Sequence, residues 1–159
     1  MVQVRANAGE KDGGAARVEG LLTRQHELFG QLDSLSQRQA NFIQADETDR
    51  LLGLLGERQD VIEQIAKTNA QLEPYRARWD AFLKELPEAN RDRVKTRLDA
   101  VAHLAGVIAQ RDETDRRELQ HRRDAMAVEL ARVAQGRGAV AAYGSGVGAD
   151  EPRFQDREA

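Results

Sequence analysis

The stretch Val18–Phe42, VEGLLTRQHELFGQLDSLSQRQANF, decides the fold of this chain. Because six of eight positions spaced alternately three and four residues apart are apolar, we predict an amphipathic helix that packs along one narrow stripe. These heptad positions are Val18, Leu21, Gln25, Leu28, Leu32, Leu35, Gln39 and Phe42. The two glutamines are polar stripe positions, which usually fix helix register at some cost in stability.

The segments on either side of this stretch are less regular. Residues 1–14 show no periodicity and end in Lys-Asp-Gly-Gly, so we expect a disordered N-terminal arm. After Phe42 the repeat falters at residues 44–49, where Asp46 or Thr48 is a candidate helix cap. A second heptad stripe follows, made of Leu51, Leu55, Arg58, Ile62, Ile65, Asn69 and Leu72. One continuous helix over 18–72 and a hairpin bent at 45–49 both remain open.

The second stripe is wider than a two-stranded seam requires. Leu52, Leu54 and Val61 add apolar surface beside it, so we expect this helix to contact two neighbours. Gly53 and Gly56 lie inside the same segment, and each is expected to cost it about 1 kcal/mol relative to alanine.

The remainder of the chain predicts a short anchor and one long helix. Pro74 predicts a kink or a new start, and the following Tyr75, Trp79, Phe82 and Leu86 share one face as a packing anchor. The long helix begins near Pro87 and reaches about Gln135. Its stripe consists of Val94, Leu98, Val101, Ala105, Ile108, the polar pair Asp112 and Asp115, and Leu119. We expect the highly charged stretch 111–124 to be solvated, beyond the reach of the shorter helices.

Together these patterns predict an all-α fold, a long antiparallel helical hairpin or coiled coil of three to four helices with disordered termini. The helical bundle is expected to occupy residues 15–135. Residues 136–159 are expected to form a partner-binding segment, in which the helicity of 136–143 before binding stays open, and a flexible C-terminal tail.

The composition narrows the classes of function. The net charge is −3 with acids and bases interleaved, so no basic stripe favours nucleic acid. The chain has no cysteine, and its apolar runs are far shorter than the roughly 20 residues that span a membrane. We therefore expect a soluble, cytoplasmic protein without disulfides.

The sequence gives little support for a catalytic site. The three histidines are scattered, and Glu118 with His121 gives one E-x-x-H step, whereas a di-iron bundle needs two with further carboxylates. The glycine-rich run 144–148 lacks the strand, the helix and the Lys-Ser/Thr pair of a phosphate-binding loop. We expect no catalytic residues, no metal and no cofactor.

The apolar residues near the C-terminus are the candidate site. Met126, Leu130, Val133, Val140 and Tyr143 follow at steps of four, three, seven and three, which keeps them on one helical side. Ordinary core packing is an equal explanation for the first three. For Val140 and Tyr143 it is weaker, since Gly136 and Gly138 destabilise an unsupported helix and little sequence remains to cover it. We predict that this stripe binds a partner.

The chain resembles the FlgN family of flagellar export chaperones over roughly residues 18–146. The resemblance rests on LLGLLGERQDVI (51–62) after the acidic turn at Asp46, and on GRGAVAAYG (136–144), where Tyr-Gly is the more distinctive ending. It implies an all-helical cytoplasmic chaperone that binds the helical terminus of hook–filament junction proteins. Such a chaperone prevents their premature assembly and delivers them to the type III export gate or its ATPase components.

The resemblance also implies roles for particular residues. The C-terminal segment would bind the client, and Tyr143 would correspond to the family's tyrosine linked to docking on the export gate. Gly136 and Gly138 depart from the continuous helix expected there. The alternative function is a structural coiled-coil scaffold whose stripes serve self-association, so a homodimer is possible under either interpretation.

Overall fold

A computed structural model describes the backbone of residues 3–147 and the side chains of residues 13–144. It contains four helices in this range and no strand: α1 (Gln3–Gln44), α2 (Thr48–Arg76), α3 (Trp79–Glu85) and α4 (Glu88–Val147). The predicted all-α class is therefore confirmed. The chain divides into two compact units, Met1–Arg116 and Arg117–Ala159.

A tight turn at residues 45–47 joins α1 to α2, so 18–72 is a hairpin of two helices. Glu47 N–H donates to the Phe42 carbonyl at 2.9 Å and Asp46 N–H donates to the Ile43 carbonyl at 3.2 Å. These two bonds form a Schellman motif, in which Asp46 takes the left-handed conformation at φ 58°. Asp46 thus ends α1 rather than capping α2, whose N-terminus has no side-chain cap.

Polar contacts give the helix directions in the first unit. Contacts from α1 to α2 pair late residues of one with early residues of the other, so α1 and α2 are antiparallel. In the contacts between α1 and α4, later residues of α1 pair with later residues of α4, so these two helices are parallel. The unit is therefore a three-helix bundle. The defining pairs are Arg38–Glu57 at 3.2 Å, Arg24–Gln64 at 2.8 Å, Arg93–Glu19 at 3.2 Å and Arg111–Asp33 at 2.7 Å.

Apolar side chains fill the bundle in two clusters. One lies near the α1–α2 turn and contains Leu28, Leu32, Leu35, Leu54, Val61, Ile65 and Ile108. The other lies at the opposite end and contains Ala15, Val18, Leu22, Leu72, Leu86 and Val94. The predicted packing anchor is confirmed in this second cluster, where the Phe82 ring lies 5.2 Å from that of Tyr75 and 5.7 Å from that of Trp79.

The buried face of α2 shares Arg58, Ile65 and Leu72 with the predicted stripe, and elsewhere it lies one residue before the predicted positions. Leu54 and Val61 are buried, whereas Leu55 and Ile62 are 44% and 41% exposed. The segment is apolar at both registers, so sequence periodicity did not choose between them. Packing between α1 and α4 selects the face Leu54, Arg58, Val61, Ile65, Thr68 and Leu72.

A layer of polar contacts crosses the bundle where solvated charge was predicted. Asp115 is only 6% exposed and accepts a hydrogen bond of 2.9 Å from Gln39. Arg58 Nη2 and Asp112 Oδ2 are 2.7 Å apart. The prediction that 111–124 lies beyond the shorter helices is therefore wrong for Arg111, Asp112 and Asp115, because α1 and α2 supply their partners.

The helix ends also differ from the sequence expectations. α1 includes residues 3–14, where no helix was predicted; Ala, Arg, Glu and Lys in this segment are good helix formers. A Cβ added at Gly14 would lie 3.8 Å from the Phe82 ring, so this glycine adjoins the aromatic anchor. α4 continues past Gln135 through both glycines to Val147. The predicted flexible tail is helical as far as Val147, and its remainder falls outside the described residues.

Candidate partner-binding surface

The second unit carries its apolar side chains on the outside. Every side chain described from residue 123 to residue 144 is exposed. The buried apolar residues of the described chain all lie between Ala15 and Ile108, in the first unit. The apolar residues of the second unit therefore contribute nothing to the described core, which removes the ordinary-core explanation for Met126, Leu130 and Val133.

All five predicted site residues lie on this exposed part of α4. Their exposed fractions are 65% for Met126, 65% for Leu130, 50% for Val133, 73% for Val140 and 82% for Tyr143. We name these five residues the C-terminal stripe. Exposed single apolar residues are common on proteins, but a continuous run of them often marks a surface for a protein partner.

The helical spacing sets the shape of the stripe. Met126, Leu130, Val133 and Val140 recur at heptad positions, and Arg137 occupies the position between the last two. Val128 is also exposed, at 53%, but it lies on the opposite side of α4. The surface is thus an apolar ridge along one side of a helix, interrupted by one guanidinium group.

Ion pairs within α4 stabilise the helix next to the stripe. Glu129 pairs with Arg132 at 3.5 Å, and Glu118 pairs with Arg122 at 2.8 Å. Exposed pairs of this type contribute about 0.3–0.5 kcal/mol each. Nearer the N-terminus of α4, a hydrogen bond to Glu113 and the charge of its carboxylate raise the pKa of Arg116 above its usual value.

Gly136 and Gly138 weaken the helix beneath the stripe. Neither needs a positive φ, and a Cβ added to either would meet no atom within 4 Å. Sterics therefore do not require glycine at either position. Each glycine still costs the helix about 1 kcal/mol relative to alanine, and no buried apolar contact offsets this cost in the described part of the second unit.

The other candidate sites acquire structural explanations. Among the described residues no three His, Cys, Asp or Glu side chains group as metal ligands, and Glu118 pairs with arginine instead. The basic cluster at 91–97 contributes to bundle packing. Arg91 donates to the carbonyls of Leu83 and Leu86, and Arg97 donates to the Thr23 hydroxyl. The run 144–148 begins as the last turn of α4, with Gly148 outside the described range.

Sequence reasoning missed one surface, on α2. Leu52, at 63% exposed, lies beside the exposed Leu55 and Ile62 on a face that the bundle does not cover. The apolar width of this segment led to the expectation of two neighbouring helices, and α1 and α4 are those neighbours, so it did not indicate this further surface.

None of the described helices has the combination of length and apolar character that a membrane-spanning segment requires. In comparisons with protein families, curated proteins and solved structures, no match to this chain was found.

Proposed function

We propose that this protein is a chaperone that binds an amphipathic helix of a client protein along the C-terminal stripe. The observation that carries the proposal is the exposure of all five stripe residues on a helix outside the bundle core. A client helix laid along them removes apolar surface from water, at about 25 cal/mol per Å². Recognition of a helix through apolar residues at heptad spacing is a recurring mode of peptide binding.

The two glycines suit a client that must later be released. A helix weakened at Gly136 and Gly138 loses more conformational freedom on binding than a rigid one, and this ordering cost reduces affinity.

The resemblance to the FlgN family suggests that the clients are cytoplasmic hook–filament junction proteins awaiting export. In this proposal Tyr143, the most exposed stripe residue, docks on the export gate.

A pair of valine substitutions tests client binding. Val133→Asp places a charge in the stripe, whereas Val128→Asp places the same charge at similar exposure on the opposite side of α4. Each variant is co-expressed with hook–filament junction proteins of the source organism, and affinity is measured on the purified proteins by calorimetry. We expect Val133→Asp to weaken binding at least about tenfold and Val128→Asp to have little effect.

Equal effects of the two variants, or no binding of any such protein by the unmodified chain, would refute the proposal. The scaffold alternative predicts a different result, in which Val133→Asp changes the oligomeric state of the protein alone.

Tyr143→Ala tests the separate role given to the tyrosine. At 82% exposure the ring makes little contribution to stability, so helix content and unfolding should remain as in the unmodified chain. We expect secretion of the client to fall, as measured in culture supernatants. Unchanged secretion would remove Tyr143 from gate docking.

A further inference from the structure

The uncovered face of α2 is a second apolar surface, separate from the C-terminal stripe. Leu52, Leu55, Gln59, Ile62 and Ala66 follow at steps of three, four, three and four residues. All five are exposed, and the three large side chains are 63%, 44% and 41% exposed in chain order. We name these five residues the α2 face.

The bundle leaves this face open because α2 uses its other side for the core. Residues from Leu54 to Leu72 on that side face α1 and α4, and they include the buried Arg58 and Thr68. Gly56 borders the α2 face, and an added Cβ there would meet no atom within 4 Å. Its small size permits a neighbouring helix to approach closely, which is a use for a residue that otherwise only weakens α2.

The residues around this face are arranged symmetrically about the middle of α2. The midpoint in sequence between Leu55 and Ile62 lies between positions 58 and 59, and the midpoint between Leu52 and Ala66 is Gln59. Asp49 and Lys67 carry opposite charges, and the midpoint between them in sequence is position 58. They lie 18 residues apart, which is five helical turns, so both are on the same side of α2. Neither forms an ion pair in the described part of the chain.

A helix with this arrangement is complementary to an antiparallel copy of itself. A two-fold axis near Gln59 brings Leu55 of one copy onto Ile62 of the other. The same axis brings Lys67 of one copy towards Asp49 of the other, and the symmetry makes each contact occur twice in the dimer. Self-complementarity of a single surface patch is what a two-fold dimer requires. We propose that the protein forms a homodimer through antiparallel pairing of the α2 faces.

The expected affinity follows from the size of the surface. One helix pair packed over about five turns buries less than about 1,200 Å² in total, the lower end for specific interfaces. We therefore expect a dissociation constant in the micromolar range, on the order of 1–100 µM. The dimer proposal does not depend on the chaperone proposal.

Sedimentation equilibrium of the full chain from about 1 to 200 µM tests the dimer. We expect a monomer–dimer equilibrium that Ile62→Glu weakens at least tenfold, while Gln71→Glu, an equal charge change elsewhere on α2, leaves it unchanged. Circular dichroism confirms that the variants keep their helix content. Since Ile62 is 41% exposed, Ile62→Glu should not unfold the bundle.

Charge exchange tests the register. Lys67→Asp should weaken association several-fold, and adding Asp49→Lys should restore it. A chain that stays monomeric at about 200 µM would overturn the proposal. Loss of the dimer in Val133→Asp but not in Ile62→Glu would also overturn it, since association would then run through the C-terminal stripe. Failure of client binding with the dimer intact would refute only the chaperone proposal.

Discussion

Breaking the Arg58–Asp112 ion pair is predicted to destabilise the bundle more than removing the whole pair. Arg58 Nη2 lies 2.7 Å from Asp112 Oδ2, and the two side chains are 11% and 35% exposed. The other atoms of the pair, Arg58 Nη1 and Asp112 Oδ1, are buried without a hydrogen-bond partner. The pair therefore already carries an uncompensated desolvation cost on both sides.

The magnitude follows from this partial burial. Arg58→Met leaves the carboxylate of Asp112 without its cation, and such a change costs about 3–5 kcal/mol in a fully buried pair. Since about a third of the Asp112 side chain is exposed, we expect about 2–3 kcal/mol here. Replacing both residues in Arg58→Met/Asp112→Leu removes the two unpartnered atoms as well. The double variant should lie within about 1 kcal/mol of the unmodified chain.

Urea unfolding followed by circular dichroism at 222 nm measures all members of this cycle. Asp112→Leu alone completes it by leaving Arg58 unpaired. We expect a coupling energy of at least about 2 kcal/mol between the two positions. A double variant whose loss equals the sum of the two single losses would refute the reasoning, because the residues would then act independently.

Two further predictions concern the core and the glycines. Leu28→Ala, at a fully buried position, should cost about 2–5 kcal/mol, whereas Leu52→Ala, at 63% exposure, should cost less than about 0.5 kcal/mol in the same unfolding assay. A loss at Leu52 as large as that expected at Leu28 would contradict the assigned core face of α2. Gly136→Ala/Gly138→Ala should slow amide exchange over residues 130–144 and tighten client binding, because added side chains meet open space and helix propensity rises. Unchanged exchange rates in that variant would show that the glycines do not weaken the helix.

The heptad pattern predicted the helices better than it predicted their faces. Val18, Leu28 and Val94 were assigned to stripes and are fully buried. On α2, Leu54 and Leu55 are equally apolar, so only the positions of α1 and α4 decide which one is buried. Sequence periodicity contains no information on a neighbour that lies far along the chain.

Polar residues show the same limit. Asp112 and Asp115 interrupt an apolar stripe within a highly charged segment, which is also the pattern of a solvated helix. Their partners, Arg58 and Gln39, lie on other helices, 54 and 76 residues away. The candidate site was more predictable because its residues lie on one helix, where local spacing alone places them on one side.

The tight turn at Asp46 has a consequence for the order in which the bundle assembles. Because three residues join α1 to α2, these helices can meet with little loop-closure entropy, while α4 contacts α1 across 74 to 78 residues of chain. Folding rates follow the sequence separation of contacts, so we expect the α1–α2 hairpin to form in the transition state before α4 docks. During synthesis, this hairpin would leave the ribosome as a folding nucleus, and the side that later packs against α4 would still be exposed to solvent.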